Sequence, residues 1–347
     1  MKAALLTGIR QMEIRDVPDP PITTAGEVLL RINAVGVCGS DVHYYTTGRI
    51  ASLVVEYPCM TGHECAAAVV EVSPEVKNLA PGQRVVVDPL VWCGHCDQCL
   101  AGRRHTCRNQ TFLACPGQAP GALAEYLVMP AANCFPIPGG MNDDEAATIE
   151  PLSIGLHAQR LAGPSGLRRA AILGAGPIGL SVLLCLRAAG TKEIFVTDLL
   201  EERLAMARRL GADWTGRPTQ QDVVGEMLQR VPEGMDCVFE CAGRQETLDQ
   251  GAEVLAPGGL LMLIGIPQEQ WVRFRPETIR RKELRLQNVR RQNECIQDAI
   301  DLVASGRADV KKMVTHHFPL GRTKEAFDMA ADYRDGVVKA IINVSGA

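Results

Sequence analysis

The chain has 347 residues, 46% of them hydrophobic, which is enough for a full core and long for one domain, so two domains are expected. A formal charge of −4, with acidic and basic residues interspersed, offers neither the basic face that nucleic acid binds nor a polybasic tail for an anionic membrane. No apolar run of roughly eighteen residues occurs, and the opening MKAALLTGIRQMEIRD lacks the apolar centre of a signal peptide, so a soluble cytoplasmic protein acting on small molecules is expected. Thirteen cysteines, several of them (Cys65, Cys185, Cys237) inside apolar stretches, fit reduced thiols better than a secreted disulfide framework.

From Met1 to about Pro138 the chain reads as short β-type runs broken by Pro and Gly: EVLLRINAVGVC, ECAAAVVEV, QRVVVDPLV and ALAEYLVM. That pattern predicts an irregular, mainly-β domain. Within it, Cys93, Cys96, Cys99 and Cys107 stand in WCGHCDQCLAGRRHTC at gaps of 3, 3 and 8. Two-residue gaps let neighbouring sulfurs turn inward on one loop, Gly94 and Gly102 supply the bends, and the set suits one tetrahedral zinc ion. Four reduced thiols or two disulfides are the alternatives.

Near Asn142 the texture changes. NDDEAATIEPLSIGLHAQRLAG opens with an Asn cap and acidic first-turn residues, then carries helical periodicity, and predicts one helix leading into a second domain. From Arg168 to about Val289 apolar strands alternate with helices: AAILG, PIGLSVLLCLRAAG, EIFVTD, EERLAMARRLG, MDCVFE, QETLDQGAEVL and GGLLMLIG. Such alternation builds a doubly wound parallel sheet, an α/β fold. Gly174, Gly176 and Gly179 form GxGxxG directly after a strand and before a helix, and Asp198 ends the next strand. The glycines allow a tight turn and close approach of backbone to pyrophosphate, while an acidic residue at that place accepts ribose hydroxyls, repels a 2′-phosphate and favours NAD. Arg203, Arg208 and Arg209 lie nearby and work against that preference; Arg208 and Arg209 read as a solvated helix end. Ile178, Ile264, Ile266 and Val289 are taken as further dinucleotide contacts. After Asn293 a helix, ECIQDAIDLVASG, and the segment from MVTHHF to AIINV follow, and the tail is expected to return to the first domain.

Three further segments carry metal-ligand residue types: Cys38 in GVCGSDVHYY, His63 and Glu64 in TGHECAAAVVEV, and Glu150 in IEPLSIGLHA. Spacing alone leaves a second metal set and ordinary structural roles equally open. The order is more specific. Cys38, GHE about 25 residues later, the four-cysteine loop, then GxGxxG and an Asp, resembles the zinc-dependent medium-chain alcohol and polyol dehydrogenases from end to end. CGSDVHYYTTGRI, EPLSIGLHA and TDLLEERL are most similar to the sorbitol dehydrogenase branch.

The resemblance implies a GroES-like catalytic domain over 1–155, with the zinc loop 92–108, a Rossmann domain over 156–290, and a return segment 291–347 completing the catalytic domain. It implies a structural zinc on the cysteine loop and a catalytic zinc on Cys38, His63 and Glu64, with Glu150 on the metal or its water. The alcohol proton is expected to leave through Glu150 or through Ser40 and His43, His43 having a competing reading as a surface helix residue. Tyr44, Phe112, Arg290 and Arg291 are the expected substrate contacts, and a homo-dimer or homo-tetramer is expected through an edge strand within LRLQNVR or GGLLMLIG. The expected reaction is hydride transfer from a secondary alcohol of a sorbitol- or xylitol-like polyol to NAD. A cyclitol, an amino-cyclitol or L-threonine is the alternative substrate, and a non-catalytic NAD-binding protein the alternative of another class. Departures from the family pattern are Ala67 for a usual glycine, GQRV at Gly82 to Val85 for GDRV, and Arg291 for a usual tyrosine in VRRQN.

Overall fold

A computed structural model of the chain describes residues 1–163 and 167–345. The chain forms two compact units, one of Met1–Glu150, Ile296–Ala304 and Val314–Ala347, the other of Pro151–Cys295 and Ser305–Met313.

The first unit is built on a seven-stranded sheet. Its order runs Cys134–Pro136, Arg84–Val87, Glu64–Val72, Glu27–Gly36, Lys339–Asn343, Val314–Pro319, with Tyr126–Pro130 also paired to Glu27–Gly36. The central strand EVLLRINAVG alternates, so Val28, Leu30 and Ile32 are fully buried. Each such side chain contributes about 1.5–3 kcal/mol on leaving water. Register matters at one end of this sheet: Gly36 pairs with Glu64 on one side and with Ile341 on the other. The chain leaves Gly36 through Val37 to Cys38, which caps the helix Gly39–Thr47. Three strands of distant sequence therefore end around one point.

The helix expected from Asn142 onward is two helices, Asp143–Ala147 and Ile149–Ala162. The predicted cap is present as a capping box: the Asn142 side chain accepts from the Glu145 N–H at 2.9 Å, and the Glu145 carboxylate accepts from the Asn142 N–H at 2.8 Å. The break follows from Pro151, which has no N–H to donate to Ala147 and is tolerated only in the first turn of a new helix.

The second unit carries a six-stranded parallel sheet in the order Trp214–Gly216, Glu193–Thr197, Arg169–Leu173, Met235–Glu240, Leu255–Leu263, Arg285–Asn288. Numbered along the chain this is 3-2-1-4-5-6, the doubly wound dinucleotide-binding order, in which ligands bind where the strand order reverses. The strand Trp214–Gly216 and the helix Val223–Arg230 escape the sequence reading because they are short or polar. LRLQNVR does supply an edge strand, but GGLLMLIG does not. Its strand lies between Met235–Glu240 and Arg285–Asn288 and is saturated on both sides.

Candidate metal centres and dinucleotide loop

Cys93, Cys96, Cys99 and Cys107 bring their sulfurs within 4.8 Å of one another. The Sγ separations are 3.5 Å for Cys93 and Cys107 and 3.9 Å for Cys96 and Cys107. A disulfide needs about 2 Å. A tetrahedron with Zn–S bonds near 2.3 Å has edges of about 3.8 Å. The thiols fit a cation and not each other. Electrostatics agree: backbone N–H groups of His95 and Cys96 lower Cys93 to about 6, and those of Arg108 and Cys99 lower Cys96, whereas desolvation and the neighbouring thiols push Cys99 up to about 12. Four thiolates crowded this closely need a positive charge among them.

Cys38, His63 and Glu64 form a second group whose ligand atoms lie within 4.8 Å. His63 and Glu64 are buried. Asp41, in the first turn of Gly39–Thr47 and fully buried, places Oδ2 3.2 Å from His63 Nδ1, which leaves Nε2 as the ring's second ligand atom. Burial disfavours a charged imidazole, yet Asp41 and Cys38 outweigh it and hold the His63 pKa well above its ordinary value. A pocket that draws a proton onto its histidine draws a metal cation for the same reason, so the donor set fits one. Glu64 lies over Gly36, where a Cβ would stand 2.2 Å from its Oε2, and that oxygen accepts from the buried Lys339 Nζ at 2.6 Å.

Glu150 is buried close by but is not in the 4.8 Å group. Desolvation pushes it up to about 7, Glu64 and Asp88 adding to the rise while His63 and Lys339 oppose it. Ser40 Oγ donates to Cys38 Sγ at 3.3 Å, and His43 is half-buried on the same helix. Phe112 packs its ring against His63 with centroids 5.3 Å apart, and Tyr44 is buried. Arg290 is exposed, and Arg291 is half-buried with φ at 53°. Neither arginine opens a helix, since Ile296–Ala304 begins five residues later.

In the second unit, Gly174 takes φ of 103°, Gly176 caps the helix Pro177–Ala188, and a Cβ on Gly179 would stand 1.9 Å from the Gly174 carbonyl oxygen. Two of the three are required: Gly174 by its left-handed backbone, Gly179 by helix-to-strand contact. Asp198 accepts from the Ala175 N–H at 2.7 Å and the Leu200 N–H at 2.9 Å, which fixes its carboxylate beside the loop. Arg203 Nη1 lies 3.9 Å from Asp198, while Arg208 and Arg209 sit exposed in the last helical turn. Ile264 and Val289 are held by backbone bonds to Glu240 and Leu263, Ile178 is half-buried and Ile266 exposed.

Asp41, Gly36 and Lys339 escaped the sequence reading. Two signals for them are nevertheless present. An Asp three residues after Cys38 falls in the first turn of the helix, and a lone lysine inside VVKAIIN is a charge in a buried strand, which must have a partner.

Residues 24–139 match the family described as alcohol dehydrogenase GroES-like domain, and residues 177–305 the family described as zinc-binding dehydrogenase. The chain is 35% identical over 343 residues to sorbitol dehydrogenase of Bacillus subtilis (strain 168), covering 99% of this chain and 97% of that one. It is 36% identical over 351 residues to L-idonate 5-dehydrogenase of Vitis vinifera, covering 99% and 94%. Among solved structures, a zinc-binding dehydrogenase of Sinorhizobium meliloti bound to NADP superimposes with a TM-score of 0.90 at 31% identity, covering 99% of both chains. An alcohol dehydrogenase of Escherichia coli complexed with NADH superimposes at 0.89 and 29% identity, again covering 99% of both. The chain belongs to the zinc-dependent medium-chain dehydrogenase family: it is an oxidoreductase with a GroES-like and a Rossmann-type unit that uses zinc and a nicotinamide dinucleotide. Within the family it falls in the polyol dehydrogenase branch. No helix among the described residues is long and apolar enough to cross a membrane.

Proposed function

We propose that the chain oxidises a secondary alcohol of a sorbitol- or xylitol-like polyol to a ketose, with NAD as hydride acceptor. The observation that carries this reading is the convergence of half-buried Cys38, from a helix cap, with buried His63 and Glu64, from the start of one strand, and with buried Glu150 beside them. These residues would hold the catalytic zinc, and Cys93, Cys96, Cys99 and Cys107 a structural one. Bound at the first set, zinc supplies Lewis acidity that makes an alcohol oxygen more acidic. Glu150 takes the hydroxyl proton, since a carboxylate pushed up to about 7 is a base matched to neutral pH. Ser40 and His43 are the alternative path for that proton. Phe112 and Tyr44 wall the alcohol, excluding water, and Arg290 and Arg291 hydrogen-bond its further hydroxyls. Asp198 supports NAD over NADP, because a 2′-phosphate would meet its fixed carboxylate.

A second reading is favoured by the adjacent arginines and by a relative named for L-idonate: the substrate is an aldonate whose carboxylate pairs with a guanidinium. Thirteen free thiols support a reducing cytosol as the place of work, and the edge strand Arg285–Asn288 supports association into a homo-dimer or homo-tetramer. The test is NADH production across polyols, cyclitols, aldonates and amino alcohols, with zinc content measured and the panel repeated after chelation. About two zinc ions per chain and chelator-sensitive oxidation of polyols are the expected result. Full activity in metal-stripped protein overturns the reading.

A further inference from the structure

Lys339 is a full positive charge in the interior of the first unit, with its side chain 1% exposed, and its partner Glu64 is 1% exposed as well. Nζ donates to Glu64 Oε2 at 2.6 Å and to the Val37 carbonyl at 3.1 Å. Taking an ammonium out of water costs several kcal/mol, so it is retained only where fixed negative charge surrounds it. Here that charge is Glu64, itself one of the Cys38, His63 and Glu64 cluster. The backbone sets the arrangement. Ile341 pairs with Gly36 across an antiparallel pair, so Lys339, two residues before Ile341, lies level with the turn into Cys38. Gly36 has no Cβ, and one placed there would clash with Glu64 Oε2 at 2.2 Å, so the carboxylate is held between a bare glycine and an ammonium group.

We propose that Lys339 is a positioning residue that shares Glu64 with the metal: it is the internal counter-ion of the donor set and limits how tightly that set grips a cation. The inference rests on the assignment of Cys38, His63 and Glu64 as metal donors. A divalent cation and the ammonium compete for the same carboxylate, and each raises the energy of the other a few ångströms away. Lys339 thus keeps Glu64 aimed at the cluster when no metal is bound and loosens the metal once it is. A lysine that merely fills space in the sheet predicts neither effect.

Zinc affinity of the full chain is measured by competition with a chromophoric chelator, in the native protein, Lys339→Met and Lys339→Gln. The cobalt-loaded forms supply absorption bands that separate an all-sulfur set from a mixed one. Gln keeps an amide donor without the charge, so the two variants separate packing from electrostatics. The expected result is that the equivalent entering the mixed set binds about tenfold or more tightly in both variants, while the all-sulfur equivalent is unchanged. Melting temperature is expected to fall more in the metal-free variants than in the loaded ones. Variants that fold only with zinc present support the proposal equally. Binding no tighter than native, equal loss of melting temperature with and without metal, or variants unfolded even with zinc overturns it. A native chain that takes up a single equivalent breaks the metal assignment itself, and this inference with it.

Discussion

The cysteine loop and the Cys38 cluster are two answers to the problem of holding a cation. Four identical donors lie within fifteen residues of one partly exposed loop, and their spacing in sequence nearly determines their spacing in space. The other set gathers three different donors from 27 residues of chain, buries two of them, and supports them with Asp41 on the helix, Gly36 on the neighbouring strand and, from far along the sequence, Lys339. The first site needs only a loop. The second needs the sheet, because Glu64 faces Lys339 only when Gly36 is paired with both their strands. A local site is built for permanence, whereas a site assembled by tertiary structure can combine donors of unequal strength and keep an acid beside them.

Removing one donor from each site is the sharpest way to break that comparison. Cys38→Ser is expected to cost one zinc equivalent and reduce turnover by about 10³-fold or more, a barrier increase of ~4 kcal/mol, with the fold and dinucleotide binding retained. Cys99→Ser is expected to cost the other equivalent and lower the melting temperature while some turnover survives. Zinc analysis, circular dichroism and NADH production distinguish the outcomes. If Cys38→Ser lost both ions, or Cys99→Ser lost all turnover with its second ion still bound, the separation of roles would fail.

The same contrast explains what the sequence made legible. The four cysteines, the glycine loop and Asp198 are local patterns, and each was readable because its chemistry is fixed by neighbours in the chain. The alternating strands gave the parallel sheet, while Trp214–Gly216 did not stand out because a three-residue strand is too short to show a period. Cys38, His63 and Glu64 were legible only through their order along the chain, which is a resemblance and not a derivation. Asp41 and Lys339 were not found, since a short-range pattern has no means of saying which charge a strand register will bring opposite another. The helix break at Thr148 is legible in Pro151, whose missing donor outweighs the cap and the periodicity that favour one continuous helix.

In the second unit, Asp198→Ala tests whether a side chain fixed by two backbone N–H groups selects the cofactor. Losing a charge-assisted pair of hydrogen bonds costs ~1.5–3 kcal/mol, so KM for NAD is expected to rise about 10- to 100-fold while KM for NADP falls. Steady-state kinetics with both cofactors decides it. An unchanged preference would move the selectivity to Arg203.

Glu150 makes a smaller prediction with a definite sign. Only its ionised form accepts a proton, and burial pushes it up to about 7. For alcohol oxidation kcat/KM should therefore rise about tenfold per pH unit below the break and level off above it; a bound divalent cation draws the break to 7 or lower. Ketone reduction needs the protonated form and should show the opposite slope. Glu150→Gln ought to flatten both limbs, and a profile unaltered by that substitution would remove Glu150 from the proton path.

The smallest expected effect separates the two substrate readings. Arg291 holds φ of 53° on a half-buried turn, so Arg291→Tyr changes charge and hydrogen bonding while keeping a side chain of similar reach on a backbone strained in either case. A partly hydrated ion pair is worth up to about 1 kcal/mol, so the kcat/KM ratio of an aldonate to its neutral polyol should fall about two- to fivefold if the guanidinium meets the acid. Neutral polyols compared among themselves should instead change rank, because tyrosine offers one hydroxyl where arginine offered a planar set of donors. If both ratios stay as they were, the side chain points away from substrate, and the family's usual tyrosine has been replaced without consequence for what the enzyme recognises.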